Sequence, residues 1–188
     1  MLQSRGYPRL VPRIFHASPA LGLLLILAGS FFLAPFGSAR ASSELVAPKG
    51  AVILTVSGKI TKTNKEKTAL FDMEMIQALG RISTRTHTPW AKGEVVYEGV
   101  RVRDLLAAVG VEGTSIHAIG LDGYKVTIPI EDFESYDVIV AYRMNGRMLR
   151  IRDNGPLWIV YPWDDHPELK TEHFYSRSVW QLNRIVVE

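Results

Sequence analysis

From residue 51 onward, short apolar runs alternate with polar turns, and their spacing switches between a period of two and a period of about 3.6. Residues 51–56 read as a strand ending at Ser57-Gly58, and residues 59–67 carry no apolar period, hence a loop or ragged hairpin. Asp72 is placed to cap a helix with Met75, Ile76 and Leu79 on one face and Gly80 as its stop. Residues 82–88 alternate β-branched and basic side chains, a strand leading to Pro89-Trp90, and residues 95–97 form another short strand. Residues 102–109 predict a helix burying Leu105 and Leu106, with Gly110 ending it. Two strands, 115–119 and 124–128, flank the hairpin signal Gly120-Leu121-Asp122-Gly123. An acid-rich helical turn at 130–136 follows Pro129, then a buried strand at 138–142 and a turn at Asn145-Gly146 towards Met148 and Leu149. Strands at 157–161 and within 179–187 close the domain, the last anchored by Val179, Leu182, Ile185 and Val187. Strands outnumber the short helices, and neither a βαβ rhythm nor an internal repeat runs through the chain. The expected class is α+β, mostly β.

The first 41 residues follow a different pattern. Arg5, Arg9 and Arg13 precede an apolar run from 20 to 36, and Ala39-Arg40-Ala41 supplies a small-x-small cleavage site. The expectation is a signal peptide over 1–41 cleaved after Ala41, a short lead over 42–50 and one domain over 51–188, exported to the periplasm. No adjacent Arg pair precedes the apolar run, so the general secretory route is expected rather than the twin-arginine route. The alternative is an uncleaved anchor, against which Pro19 and Pro35 argue.

Removing that leader changes the charge. The chain holds 22 basic and 19 acidic residues, and four of the basic ones (Arg5, Arg9, Arg13, Arg40) lie in the leader. The remainder has 18 basic against 19 acidic, so no electrostatic footprint for nucleic acid is left. Cysteine is absent, which excludes disulfides, thiol nucleophiles and thiolate metal ligands.

The densest chemistry lies between Tyr161 and Trp180, where Trp163, Asp164, Asp165, His166, Glu168, Glu172, His173, Tyr175, Ser176 and Arg177 combine aromatic faces with charged groups. Such a set can clamp a planar polar molecule, stacking its faces and pairing its edges. The bland alternative is an exposed polar loop followed by an edge strand.

Three pieces of the chain occur together in a known order: Tyr97-Glu98-Gly99-Val100 before Leu105-Leu106 and Gly110, then Asp122-Gly123-Tyr124 leading to Ile128-Pro129-Ile130. The third is Ala141-Tyr142-x-Met144-Asn145-Gly146-x-x-Leu149, followed by Gly155-Pro156-Leu157 and Val160-x-Pro162. This set resembles the molybdopterin-binding domain of the sulfite oxidase family over residues 57–187. The resemblance implies a sulfite oxidase-like molybdopterin-binding fold. Enzymes of that family hold molybdenum with a cysteine in the stretch here occupied by Ser83-Thr84-Arg85-Thr86-His87-Thr88-Pro89-Trp90. Thr and His are poor replacements for a soft thiolate. The chain is similar to small exported pterin-binding regulators of the PruR type. That likeness implies a pterin not bound to molybdenum, held without catalysis and reported to the periplasmic sensing domain of a membrane enzyme that makes or degrades cyclic di-GMP. The alternative is a molybdopterin-dependent oxidoreductase with a non-cysteine metal ligand.

A pterin bicycle calls for aromatic stacking and a carboxylate at its aminopyrimidine edge. Trp163 and Tyr175 are the first stacking candidates, with Asp164 or Asp165 as edge acceptors; the competing readings are a core tryptophan and solvated loop carboxylates. On the resemblance, Arg177 and Ser176 sit where these enzymes meet the cofactor's phosphate and would hold the polar tail of a pterin; otherwise they form a solvent-facing strand pair. Trp180 lines the pocket or packs inside. Arg85, Thr88 and Trp90 belong to the loop over the pocket, Arg85 on the pterin carbonyl and Trp90 on the second face. His87 reads as a surface position and His117 as structural. Three rivals stand beside pterin binding: hydrolysis by Asp164/Asp165 or Glu168/Glu172, a metal site from Asp164, Asp165, His166 and His173, and a scaffold with no small ligand.

Overall fold

The computed structural model describes residues 45–188, so the leader expected over 1–41 lies outside the described residues. Among the described residues no helix is long and apolar enough to cross a membrane. Ten strands make two five-stranded sheets. The first contains β1 (Leu54–Gly58), β2 (Ala69–Phe71), β5 (Ser115–Gly120), β6 (Lys125–Pro129) and β10 (Leu182–Val187), in the order β2-β1-β10-β5-β6. The second contains β3 (Ile82–His87), β4 (Glu94–Arg101), β7 (Ile139–Met144) and β8 (Arg147–Met148) in that order, with β9 (Trp158–Val160) also paired to β7. Among the described residues four short α-helices, α1 (Met73–Ala78), α2 (Val102–Val109), α3 (Glu131–Ser135) and α4 (Glu172–Ser176), and two 3-10 turns, Ile151–Asp153 and Pro167–Leu169, complete the fold. The α+β, mostly β, expectation holds.

Local chemistry explains most boundaries. The Asp72 carboxylate accepts from Met75 N at 2.9 Å as the α1 cap, and from Lys49 N and Gly50 N at 2.8 and 2.7 Å, which ties the lead to the body. Gly110 closes α2 at φ +62°, a left-handed cap that suits glycine. Helix α2 buries Val102, Leu105, Leu106 and Val109. Strand β4 runs eight residues rather than the three expected, because it pairs along both edges, with β3 and with β7. Its register with β7 shifts at Glu98/Gly99, where a Cβ on Gly99 would lie 2.2 Å from the Val140 carbonyl. Only glycine admits that approach.

The C-terminal segment departs furthest from expectation. Strand β10 is the middle strand of its sheet, parallel to β1 and antiparallel to β5, and not an edge. Residues 172–176 form α4 rather than a polar loop, and Ser176 and Arg177 end that helix instead of making a solvent-facing strand pair, with Tyr175 N and Phe174 N donating to the Thr171 carbonyl. The same segment ties the sheets together, since Ile159 N donates to Val179 O and Leu182 N to Leu157 O, both at 2.9 Å.

Candidate functional site

A cavity of about 380 Å³ opens where the two sheets meet α4. The β3–β4 loop contributes Pro89 and Trp90, and the β5–β6 hairpin contributes Asp122 and Tyr124. The third wall is the stretch Glu172, Tyr175, Ser176, Ser178, Val179 and Trp180. Pairing of β5 with β10 explains this meeting, because the register sets Leu182 opposite Gly120, so Trp180 and the hairpin turn lie side by side. The Tyr124 hydroxyl donates to the Ser176 carbonyl at 2.8 Å and bridges hairpin to helix. The Asp122 carboxylate accepts from Tyr124 N at 2.9 Å, shaping the turn.

Trp90 forms the floor. Its ring centroid lies 5.6–6.1 Å from those of Trp158, Trp163, Tyr175 and Trp180, at steep interplanar angles from 58° to 84°. Edge-on contacts of this kind are favourable and orient each ring. Among the described residues, the only charged side chains lining the cavity are Asp122 and Glu172, both carboxylates. The result is an aromatic slot with an acidic rim.

Of the residues singled out from sequence, Trp90, Tyr175, Ser176 and Trp180 line this cavity together. Trp163 does not. It is fully buried and packs behind Trp90 and beside Tyr161 and Tyr175. Thr88 is also buried, its hydroxyl accepting from Trp90 N at 3.3 Å, so it supports the floor rather than lining the slot. Arg85 lies on the exposed face of the β3–β4 hairpin, paired with Glu94 at 2.7 Å. Alternation explains its position, because Thr84 and Thr86 take the inward places of β3.

Arg177 belongs to a different cluster. Its Nη1 donates to Asp132 Oδ2 at 2.6 Å, and the Tyr161 hydroxyl donates to the same oxygen at 2.7 Å. The guanidinium also lies 5.3 Å over the Phe174 ring. Burial, reinforced by the neighbouring Asp132 charge, pushes the Tyr161 hydroxyl far above the ordinary tyrosine range, so it remains a donor. The triad pins α4 to α3, and Arg177 positions the pocket wall from behind.

Asp164 is a clamp rather than a pocket acceptor. One oxygen accepts from Lys170 Nζ at 2.8 Å, and the other lies 2.7 Å from both the backbone N and the Nδ1 of His87. The Lys170 hydrogen bond first, then those from His87, hold its carboxyl at about 2, below the ordinary 3.8. A depressed carboxyl contributes stability above the ordinary value and loses it as pH falls through the folded one. An NMR titration of the wild-type domain should therefore show the His87 amide resonance moving with a midpoint at about pH 2, and Asp164→Asn should abolish the shift. An unmoved resonance in the wild type would sink the clamp. Asp165 is exposed and does not line the slot. The proposed metal set does not converge: His166 pairs with Glu168 at 3.3 Å and packs on Tyr136, away from the Asp164 partners. Among the described residues no group of three His, Asp or Glu has metal-holding geometry.

Asp122, Tyr124 and Glu172 are the site residues that sequence reading missed as a group. Asp122 and Tyr124 stand in one of the recognised motifs, but only the β5–β10 pairing brings them to Trp180.

Comparison with known proteins agrees with this architecture. The oxidoreductase molybdopterin binding domain matches residues 61–164. An uncharacterized oxidoreductase, YuiH of Bacillus subtilis (strain 168), is 27% identical over 99 residues, half of this chain and half of that protein. The crystal structure of the sulfane dehydrogenase SoxCD from Paracoccus pantotrophus superposes at a TM-score of 0.51 and 21% identity, covering 71% of this chain and 37% of that one. The family match ends at Asp164, ahead of α4, so the Glu172–Trp180 wall of the slot falls outside it. With more than half of its length matched, the chain belongs to the oxidoreductase molybdopterin-binding domain family and has a sulfite oxidase-like fold.

Proposed function

We propose that this domain binds a pterin that carries neither molybdenum nor phosphate, and that it does not perform oxo transfer. The observation that carries this reading is the lining of the slot: four aromatic rings, Trp90, Tyr124, Tyr175 and Trp180, with Asp122 and Glu172 as its only charged groups among the described residues. A pterin bicycle presents two flat faces and an aminopyrimidine edge of N–H donors, which a carboxylate accepts in a paired geometry. Its size suits a cavity of about 380 Å³, at the small end of ligand pockets.

The whole molybdenum cofactor fits these residues poorly. The chain has no cysteine to supply a thiolate, and its hard oxygen and nitrogen donors are poor substitutes for soft-ligand chemistry. A phosphate in the slot would meet two carboxylates, while the nearby Arg177 is already committed to Asp132. The proposed role is a binding module exported to the periplasm that presents its pterin state to the sensing domain of a membrane-bound cyclic di-GMP enzyme or similar sensor.

The test begins with protein purified from the periplasm of its native source. Mass spectrometry should find a pterin and metal analysis no stoichiometric molybdenum, with the mature chain beginning at Ser42. Biopterin should quench tryptophan fluorescence on titration. Trp180→Ala should weaken its binding roughly ten-fold or more, in line with about 1–3 kcal/mol for stacking a heterocycle on an aromatic ring. Dihydroneopterin phosphate should bind more weakly than dihydroneopterin. The family match and the oxidoreductase name of the Bacillus relative favour a second reading, a molybdopterin-dependent oxidoreductase with a non-cysteine metal ligand. Stoichiometric molybdenum with a pyranopterin would replace the first reading by the second.

A further inference from the structure

Seven large apolar side chains are exposed among the described residues, and five of them, Leu121, Tyr124, Met148, Ile151 and Trp180, lie on segments joined through Gln181 or lining the two adjoining cavities. Gln181 joins their segments. Its carbonyl accepts from Leu121 N at 3.0 Å, its Nε2 donates to the Ile151 carbonyl at 2.8 Å, and its own N donates to the Asn154 carbonyl at 2.9 Å. Gln181 has φ +50°, a left-handed conformation that non-glycine residues rarely adopt. The bend directs the chain from the slot wall into β10 and sets Trp180 beside the turn at Ile151. Ile151 is 60% exposed and is informative as a member of this group of exposed apolar side chains.

The same face is basic at one end. Arg143, Arg147, Arg150 and Arg152 all fall in and after the β7–β8 hairpin. Beside Met144 and Met148, Arg147 and Arg150 line a groove of about 690 Å³. Among the described residues Asp153 is the only carboxylate lining that groove; it pairs with Arg150 at 2.6 Å and reaches Arg152 at 3.9 Å. Arg147 forms no ion pair among the described residues, and Arg143 makes only a 3.4 Å contact to the Gly146 carbonyl. Clustered aromatics, Met and Arg around an apolar centre are what protein interfaces enrich, and lysine, which they deplete, is missing from this hairpin.

We infer that this face docks a partner protein whose contact surface is acidic opposite the β7–β8 hairpin and apolar beside it, its carboxylates engaging the hairpin arginines and its apolar part covering Ile151, Met148 and Leu121. Arginine forks pair with carboxylates in two-point geometry, which suits a defined protein surface. Asp122 and Glu172 at the slot end confine the partner's acidic patch to the hairpin end, and this mixed charge opposes a uniformly anionic lipid surface or phosphate backbone. The inference rests on the binding-module reading in that such a module needs a partner, and it places that partner over the mouth of the slot.

The experiment uses the full chain in its native host with a photo-crosslinking phenylalanine analogue at Ile151 or Met148, and at Val46 as an exposed apolar control outside the face. The expected result is one protein adduct from both face positions and none from Val46, with the crosslinked peptide rich in Asp and Glu. The purified partner should then bind wild type, and Ile151→Asp and the pair Arg147→Glu/Arg150→Glu should each weaken binding roughly ten-fold or more. Added salt should weaken the wild-type complex but not the doubly reversed variant. Biopterin affinity should be unchanged in these variants, which separates failure of the docking face from failure of the pterin reading. The inference is overturned by no adduct, an adduct with a second copy of this chain, binding indifferent to the arginine reversal, or sedimentation with phosphatidylglycerol vesicles in place of a protein adduct. A parallel loss of biopterin binding would also overturn it, because the variants would then be acting on the slot.

Discussion

Arg177→Ala is expected to lower folding stability by about 3–5 kcal/mol, the cost of leaving one member of a buried ion pair uncompensated. Arg177 and Asp132 are each only 11% exposed at the side chain, and the Asp132 oxygen that takes the guanidinium also takes the Tyr161 hydroxyl. Without Arg177 the carboxylate keeps one neutral donor. Thermal unfolding should report a fall in Tm of about 10 °C or more for a domain of this size. A double-mutant cycle with Tyr161→Phe should show coupling, because both donors share one acceptor. An exposed arginine on a strand would instead lose only a few tenths of a kcal/mol. A change that small would return Arg177 to the surface.

Trp163→Ala is expected to cost a similar amount, about 3–5 kcal/mol, by a different route. The indole is fully buried among Trp90, Tyr161 and Tyr175. Its Nε1 finds no acceptor among the described residues, so truncation removes packing and leaves a cavity without breaking a hydrogen bond. The consequence for ligand experiments is direct. Loss of pterin from Trp163→Ala reports collapse of the floor under Trp90, whereas loss from Trp180→Ala in a protein of unchanged Tm reports contact. Chemical denaturation of both variants separates the two. Equal stability of Trp163→Ala and wild type would place the indole in the slot after all.

Much of the fold was legible because its signals are local. The Asp72 cap, the Gly110 stop, the helix at 102–109 and the Asn145-Gly146 turn each depend on a few adjacent residues, and all four stand as expected. Alternation along 82–87 and 115–120 carried both strands, since a period of two survives in any sheet with one buried face. Strand β2 was not legible, because three residues carry no period, and α4 was not, because five polar and aromatic residues have no helical stripe.

The site divides along the same line. Trp90, Tyr175, Ser176 and Trp180 were found because aromatic and polar residues clustered near the recognised motifs. Trp163, Asp164 and Arg177 share that cluster but turn elsewhere, into the core, to His87 and Lys170, and to Asp132. Neighbouring side chains on a chain of changing conformation diverge, and composition does not record direction.

By itself the sequence determined the α+β class, the missing thiolate, and the presence of an aromatic and charged segment near its end, because each follows from residue identity and short-range spacing. Only the tertiary structure decided which of those aromatics line the cavity and which hold the core. Asp122 and Tyr124 lie more than fifty positions from Trp180, and the pairing of β5 with β10 makes them neighbours. Long-range strand register, which local pattern does not specify, therefore set both the acidic rim and the aromatic walls.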